Sequence, residues 1–513
     1  MIKASEIKKV ILGDKINISQ FMAVCRYGAE VEFSDEYCQR VNKARSLVEQ
    51  WVDEGRVMYG VTTGFGALCT KAIDKDETAK LQENIIKSHS TSVGVPFEIE
   101  EARGVMLMVL QNLGQGYSGV RLELLEVYRD FLNKGVTPWA PKEGSVGYLS
   151  PEAHMARVIS GEGKAYYNGE LLDGAEALAK AGIKPLALSY KEGLALVSGT
   201  TSATAMAAIS LFDIINAALA ADVIASLTLE SSKGIIKAFD ERVMKVRPHS
   251  HQADTAANVR NILADSEVIE YYKDSRVQDA LSLRCVSQLH GAAKKTIYDA
   301  LETIETEMNA CCDNPIIWHD GDEAEVISAC NPDSAFVGIE MDSVAIAATN
   351  LAKMSERRNN RMIDESLGGY PMFLISNPGL NSGLMIPQYT QAGLLNDMRI
   401  LSTSATIDNT PTCGNQEDYV AMGYNAAKKA LSISRNLEYI LAIELLSAYE
   451  TQGFIKDECK RGSTTMKIFG EIGEKVPLMQ EDIFLHEHIE YLRDFIHSGR
   501  LVEITEDCIG EIK

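Results

Sequence analysis

Residues 203–229 read ATAMAAISLFDIINAALAADVIASLTL, and the reading of this run decides the fold. It is long and apolar enough to suggest a membrane span. Asp213 and Asp222 interrupt it, however, and alanine and serine fill much of the rest. Carboxylates are costly in hydrocarbon, so the run reads as a helix packed among other helices, apolar nearly all round. The chain downstream continues in the same manner. Helical patterns cover about 201–232, 275–309, 335–366, 380–402 and 415–453, with glycine and proline sparse inside them. A mainly α protein with a long central helix bundle follows.

Upstream the texture is different. Short β-like runs at Val10-Ile11-Leu12 and at 31–33 precede Ser34, which with Asp35 and Glu36 makes a helix start. Val41, Ala44, Val48 and Trp51 then recur at helical spacing, and Gly55 should end that helix. A glycine-rich loop, 59–66, follows, and helical patterns resume at about 76–90, 100–113 and 119–133. Asn168-Gly169 between short β runs marks a hairpin. The expected organisation is a smaller α+β region over residues 1–190 carrying loops, and a long-helix bundle with shorter amphipathic C-terminal helices over 191–513.

Composition narrows the functions. Apolar residues make up 46% of the 513, with 13 prolines, which suits a compact protein rather than a disordered one. A formal charge of -22 excludes a nucleic-acid partner, because phosphate binding needs a basic footprint. The ten cysteines form no C-x-x-C pair, as befits free thiols in a reducing compartment. The start, MIKASEIKKVILGDK, lacks an apolar signal core, so a cytoplasmic, membrane-free protein is expected. His486-Glu487-His488 with Glu490 lacks the spacing that sets two ligands on one helical face, so no metal is expected. Gly64-Phe65-Gly66 lacks the third glycine of a dinucleotide fingerprint and no Walker loop occurs, so no nucleotide is expected.

Four positions could carry chemistry, each with a plain structural alternative. Tyr59 among glycines can simply pack at a turn. Ser88-His89 at a helix end can be ordinary satisfied polar groups. Arg284, in an apolar helical pattern, should face a carboxylate of the protein or of a ligand, because an unpaired buried guanidinium is costly. Glu417, near the start of the last long helix, can merely complement its dipole.

Residues 142–155, KEGSVGYLSPEAHM, change that balance. They resemble the active-site loop of the histidine, phenylalanine and tyrosine ammonia-lyases: Gly-Ser-Val-Gly, Ala-Ser-Gly, Asp-Leu-x-Pro and an Ala-His-Met tail. Other pieces recur in the family's order: 59–66, Ser118-Gly119-Val120-Arg121, 191–196, Arg284, Asp313-Asn314-Pro315, 355–358, Asn381-Ser382-Gly383 and 415–418. In the family, Ala-Ser-Gly cyclises to methylidene-imidazolone, the electrophile. Here Gly147 runs directly into Tyr148. Either a modified residue stands between them, which the intact flanks favour, or the tripeptide is deleted.

The resemblance implies a homotetrameric, cytoplasmic carbon–nitrogen lyase that converts L-histidine to trans-urocanate and ammonia. Methylidene-imidazolone between Gly147 and Tyr148 would activate the amine and Tyr59 would take the β-proton. Arg284 would hold the carboxylate, with Gln278, Asn314 and Ser198 nearby, and Gln416 and Phe336 would support the prosthetic group. Ser88-His89 and Glu417 are the histidine-type residues at the positions that set specificity. Departures are Ser198 for an asparagine, Leu281 for a tyrosine, Tyr148 for an aspartate, and the lengthened segment 329–336. They keep two other readings open: another aromatic amino acid lyase or 2,3-aminomutase, and a catalytically inactive paralogue with a binding or structural role.

Overall fold

The computed structural model describes residues 3–71, 73–74, 77–321, 323–455 and 459–513. The chain is mainly helical, with short strands in two- and three-stranded sheets. It forms two compact units. The first takes in residues 1–212, 301–342 and 404–428; the second holds 213–300, 343–403 and 429–513.

The first unit opens with the parallel strands Lys9–Leu12 and Glu30–Phe33. Ser34 then caps the helix Asp35–Asp53 by accepting the Tyr37 N–H at 3.2 Å. The apolar spacing noted in that helix faces inward, with Val41, Ala44, Val48 and Trp51 all buried. The hairpin Lys164–Tyr167 and Glu170–Asp173 turns on Asn168 and Gly169, both at positive φ. Helix Thr78–His89 begins just past the expected start, which lies at Asp76, outside the described residues.

Helix Thr201–Ser231 confirms the reading of the apolar run, since nearly all of its side chains are buried within the protein. Long helices also occupy Val286–Met308, Ala335–Ile363, Met385–Leu401 and Gly423–Glu450.

Two expectations need correction. Helix does not extend back to 275, and Arg284 ends the single turn Leu281–Arg284 rather than lying inside a long apolar helix. Asp279 redirects this segment: its carboxylate accepts the Ile235 N–H at 2.6 Å and meets Arg276 at 2.6 Å, and its carbonyl accepts Arg284 Nε at 3.0 Å. Among the described residues Arg284 Nε therefore meets a carbonyl and not the protein carboxylate that was one of its two expected partners. Likewise the last long helix starts at Gly423, and Glu417 lies in the loop before it. Cys413, Gly414, Asn415 and Met422 adopt positive φ, which no helix tolerates.

Candidate functional site

Three loops of the first unit meet around the residues singled out in the sequence. The glycine-rich loop is held by Gln82, whose amide donates to the Gly60 carbonyl at 3.2 Å and accepts the Leu194 N–H at 3.1 Å. Gly60 is required there, because a Cβ would stand 2.3 Å from Leu194 at φ +65°. Tyr59 folds back so that its hydroxyl accepts the Gly66 N–H at 2.8 Å. Burial raises its pKa, partly offset by that hydrogen bond, and nearby Cys413, Cys69 and Glu417 raise it further. The sequence reading needed the opposite shift for a base in the free protein. Cys413 Sγ accepts the Ala67 N–H at 3.4 Å, bringing the loop before Glu417 onto the Tyr59 loop.

His89 ends its helix half-buried, with Nδ1 2.8 Å from the Ile85 carbonyl and its ring 5.4 Å from that of Phe65. A carbonyl only accepts, so Nδ1 carries the proton and Nε2 is left as an acceptor. Burial lowers the His89 pKa, although the Ile85 carbonyl and Glu417 pull the other way. Glu417 Oε2 accepts the Thr412 hydroxyl at 2.8 Å, and the Tyr148 hydroxyl also donates to this carboxylate. Burial pushes the Tyr148 phenol well up, and the Glu417 charge and hydrogen bond add to the shift. Tyr59, His89, Tyr148 and Glu417 are thus brought into electrostatic reach of one another.

Ser198 and Asn314 are also brought together: the Asn314 N–H donates to Ser198 Oγ at 3.2 Å. A fully buried ion pair sets this contact. Lys191 Nζ meets Asp313 at 2.7 Å, while the other Asp313 oxygen accepts the Asn314 N–H at 2.7 Å. Phe336, by contrast, is 74% exposed and Gln416 is exposed, so neither is buried against the loop in this chain. Gln278 is exposed and, with Arg284, belongs to the second unit.

Sequence reasoning missed two residues. Ser145 Oγ donates to the Tyr148 carbonyl at 3.1 Å and accepts the Gly147 N–H at 3.3 Å, closing a tight turn. Ser334, in the lengthened segment, is 1% exposed, and its hydroxyl has no partner among the described residues. A Cβ on Gly147 would stand 2.4 Å from that hydroxyl. Ser145 was legible in Gly-Ser-Val-Gly; Ser334 left no signal beyond the length of its segment.

Histidine ammonia-lyases in general depend on methylidene-imidazolone. The residues present here do not fit that group. Gly147 and Tyr148 are consecutive, without the Ala-Ser-Gly from which it forms. The Ser145 hydroxyl bridges Gly147 and Tyr148 across the junction, and the Tyr148 hydroxyl bonds Glu417. Gly147 sits at φ +145° and Leu149 at +73°. For a leucine that conformation costs about 1–2 kcal/mol. The junction as it stands lacks the residues from which the group is built, and no chemical step is derived through the group.

Residues 16–474 match the family model for aromatic amino acid lyases. Histidine ammonia-lyase 1 of Fusobacterium nucleatum is 42% identical over 513 residues, covering 99% of each chain. Among solved structures, histidine ammonia-lyase from Trypanosoma cruzi aligns with a TM-score of 0.92 at 31% identity, over 98% of this chain and 96% of that one. The ergothioneine-degrading enzyme ergothionase from Treponema denticola aligns with a TM-score of 0.89 at 29% identity, over 96% and 99%. Mainly helical, alike along its whole length to these lyases and carrying their loop order, the chain belongs to the aromatic amino acid lyase family of carbon–nitrogen lyases.

Proposed function

We propose that this protein removes the α-nitrogen from the L-histidine skeleton to give trans-urocanate. One observation supports the reading: the Glu417 carboxylate acts electrostatically on the His89 ring, whose Nε2 is left an acceptor, so two acceptors lie within reach of one another for the two N–H groups of an imidazolium. A phenyl or phenol side chain would leave that carboxylate unpaired, which costs about 1–3 kcal/mol.

Tyr59 is the proposed base for the β-proton. Its phenol is raised in the free site, but a bound substrate carrying positive charge favours the phenolate and lowers it. The Cβ–H electron pair becomes the Cα=Cβ bond as the C–N bond breaks. From the resemblance alone, Arg284 and Gln278 are proposed as carboxylate holders and Ser198 and Asn314 as substrate-binding residues. A cytoplasmic homotetramer is proposed from the resemblance alone.

The test is incubation with L-histidine, L-phenylalanine and L-tyrosine while the ultraviolet absorbance of urocanate, cinnamate or coumarate is followed. Urocanate should form in preference to the others. A different preferred product defeats the reading, and a β-amino acid would identify a 2,3-aminomutase. The closed Gly147–Tyr148 turn favours one second reading, a paralogue that binds histidine without turnover, which calorimetry would reveal.

A further inference from the structure

We infer that the α-nitrogen accepted by this site is a permanent cation, a quaternary ammonium, and that elimination proceeds without any prosthetic group; this rests on the imidazole reading above. Two independent features point to it. The first is the fate of the base. With no electrophile to take up the amine, an ordinary α-ammonium is a stronger acid than a phenol. The Tyr59 phenolate would take that N–H proton before any Cβ–H, and would be spent. A nitrogen bearing three alkyl groups in addition to its bond to Cα has no proton to give, so the phenolate keeps its reactivity toward the β-carbon.

The second feature is what occupies the gap. Tyr148 stands directly after Gly147, in the turn closed by the Ser145 hydroxyl at 3.1 Å from the Tyr148 carbonyl and packed on the segment that carries Asp333 and Ser334, and its hydroxyl bonds Glu417. The negative charges of Glu417 and Asp333 both act on this phenol. Among the described residues Glu417 has two hydroxyls as partners rather than a cation, and the Asp333 carboxylate accepts the Ala335 N–H at 2.9 Å. An aromatic ring with carboxylates in range suits a cation that makes no hydrogen bonds. With Glu417 and His89 engaged by the imidazole, Tyr148 and Asp333 are left for the quaternary nitrogen.

The step balances without a co-reactant. Tyr59 oxygen takes the proton from Cβ, the Cβ–H pair forms the Cα=Cβ bond, and the C–N pair leaves with nitrogen as a neutral tertiary amine. The products are the urocanate skeleton and the amine.

The experiment compares Nα,Nα,Nα-trimethyl-L-histidine with L-histidine on the full-length protein. It follows urocanate absorbance and trimethylamine release, with and without prior borohydride, which destroys an electrophilic alkene. The trimethyl compound is expected to react with a kcat/KM at least tenfold higher, untouched by borohydride. Tyr148→Phe keeps the ring and should stay within about threefold, whereas Tyr148→Leu should raise KM roughly tenfold. Faster, borohydride-sensitive turnover of L-histidine overturns the inference while leaving the imidazole reading intact. Binding of both compounds without turnover, or equal KM for the two Tyr148 variants, also overturns it. If neither imidazole compound binds, the reading of the site fails with it.

Discussion

Two polar clusters in this chain are built to opposite rules. In the second unit Asp222 meets His290 at 2.8 Å, Lys294 at 2.7 Å and Asn258 at 2.9 Å. Arg358 grips Glu444 through two bonds of 2.5 and 2.8 Å, and Thr228 adds a third. Every charged member is 0–1% exposed. Burial alone would raise the Asp222 carboxyl, but Lys294 and His290 outweigh it and hold it well below the ordinary range. Around Tyr148 in the first unit the reverse holds: phenols are pushed up, Leu149 has left-handed backbone, and among the described residues a carboxylate is held by hydroxyls alone and a buried serine hydroxyl is unsatisfied. Mutually satisfied charges fix a core. Charges left with spare valence and strain await a ligand.

The comparison breaks most easily at Arg358. Arg358→Met leaves Glu444 buried without its cation, which should cost about 3–5 kcal/mol in a denaturant titration. A loss below ~1 kcal/mol would show that the cluster does not work as a closed network.

Glu152 tests the border between the two rules. It is buried beneath the loop, accepts the Thr201 hydroxyl at 2.9 Å and the Ser202 N–H at 3.0 Å, and leaves its second oxygen unpartnered among the described residues. Burial pushes its carboxyl up to about 7 from an ordinary 4.5. The folded state therefore holds a proton that the unfolded chain releases. Its contribution is fully present below pH 4.5 and lost as pH rises through 7, amounting to about 3 kcal/mol. Denaturation midpoints at pH 5 and pH 8 should show that decline, and Glu152→Gln should flatten it. An unchanged slope in the variant would assign the decline elsewhere.

Much of this was legible beforehand, and for a physical reason. Helix Thr201–Ser231 announced itself because burial on all sides demands an unbroken apolar run, and the Asn168-Gly169 turn because few other residue pairs accept two positive φ values. Tyr59, His89 and Glu417 were legible as motifs. Their electrostatics were not, because the rise of the Tyr59 pKa depends on burial and on charges over three hundred residues away in sequence. Arg284 and Glu417 were placed in helices because local propensity says nothing of Asp279 redirecting one segment or of four positive φ values breaking the other.

Glu417→Gln sharpens the functional side. The amide keeps the shape and can still bond Thr412, but it removes the charge shared with Tyr148 and facing His89. Loss of a charge-assisted hydrogen bond of about 1.5–3 kcal/mol predicts a fall in kcat/KM for an imidazole substrate of roughly ten- to a hundredfold. Thermal unfolding should barely move, in contrast to Arg358→Met. A variant that loses stability and activity together would mean that Glu417 belongs with the core network after all.

His89→Leu should give the smallest effect and the most selective one. Leucine fills similar space against Phe65, so packing survives, while the Nε2 acceptor disappears and the Ile85 carbonyl loses the ring donor at 2.8 Å but keeps the Ser88 hydroxyl at 3.1 Å. One neutral hydrogen bond is worth about 0.5–1.5 kcal/mol, so binding of an imidazole amino acid should weaken by roughly two- to tenfold. Binding of phenylalanine, which never used that acceptor, should hold or improve. The decisive quantity is the ratio of the two dissociation constants, because any general loosening of the helix end cancels from it. Equal weakening of both ligands would place His89 with the satisfied groups, and specificity would then rest on Glu417 alone.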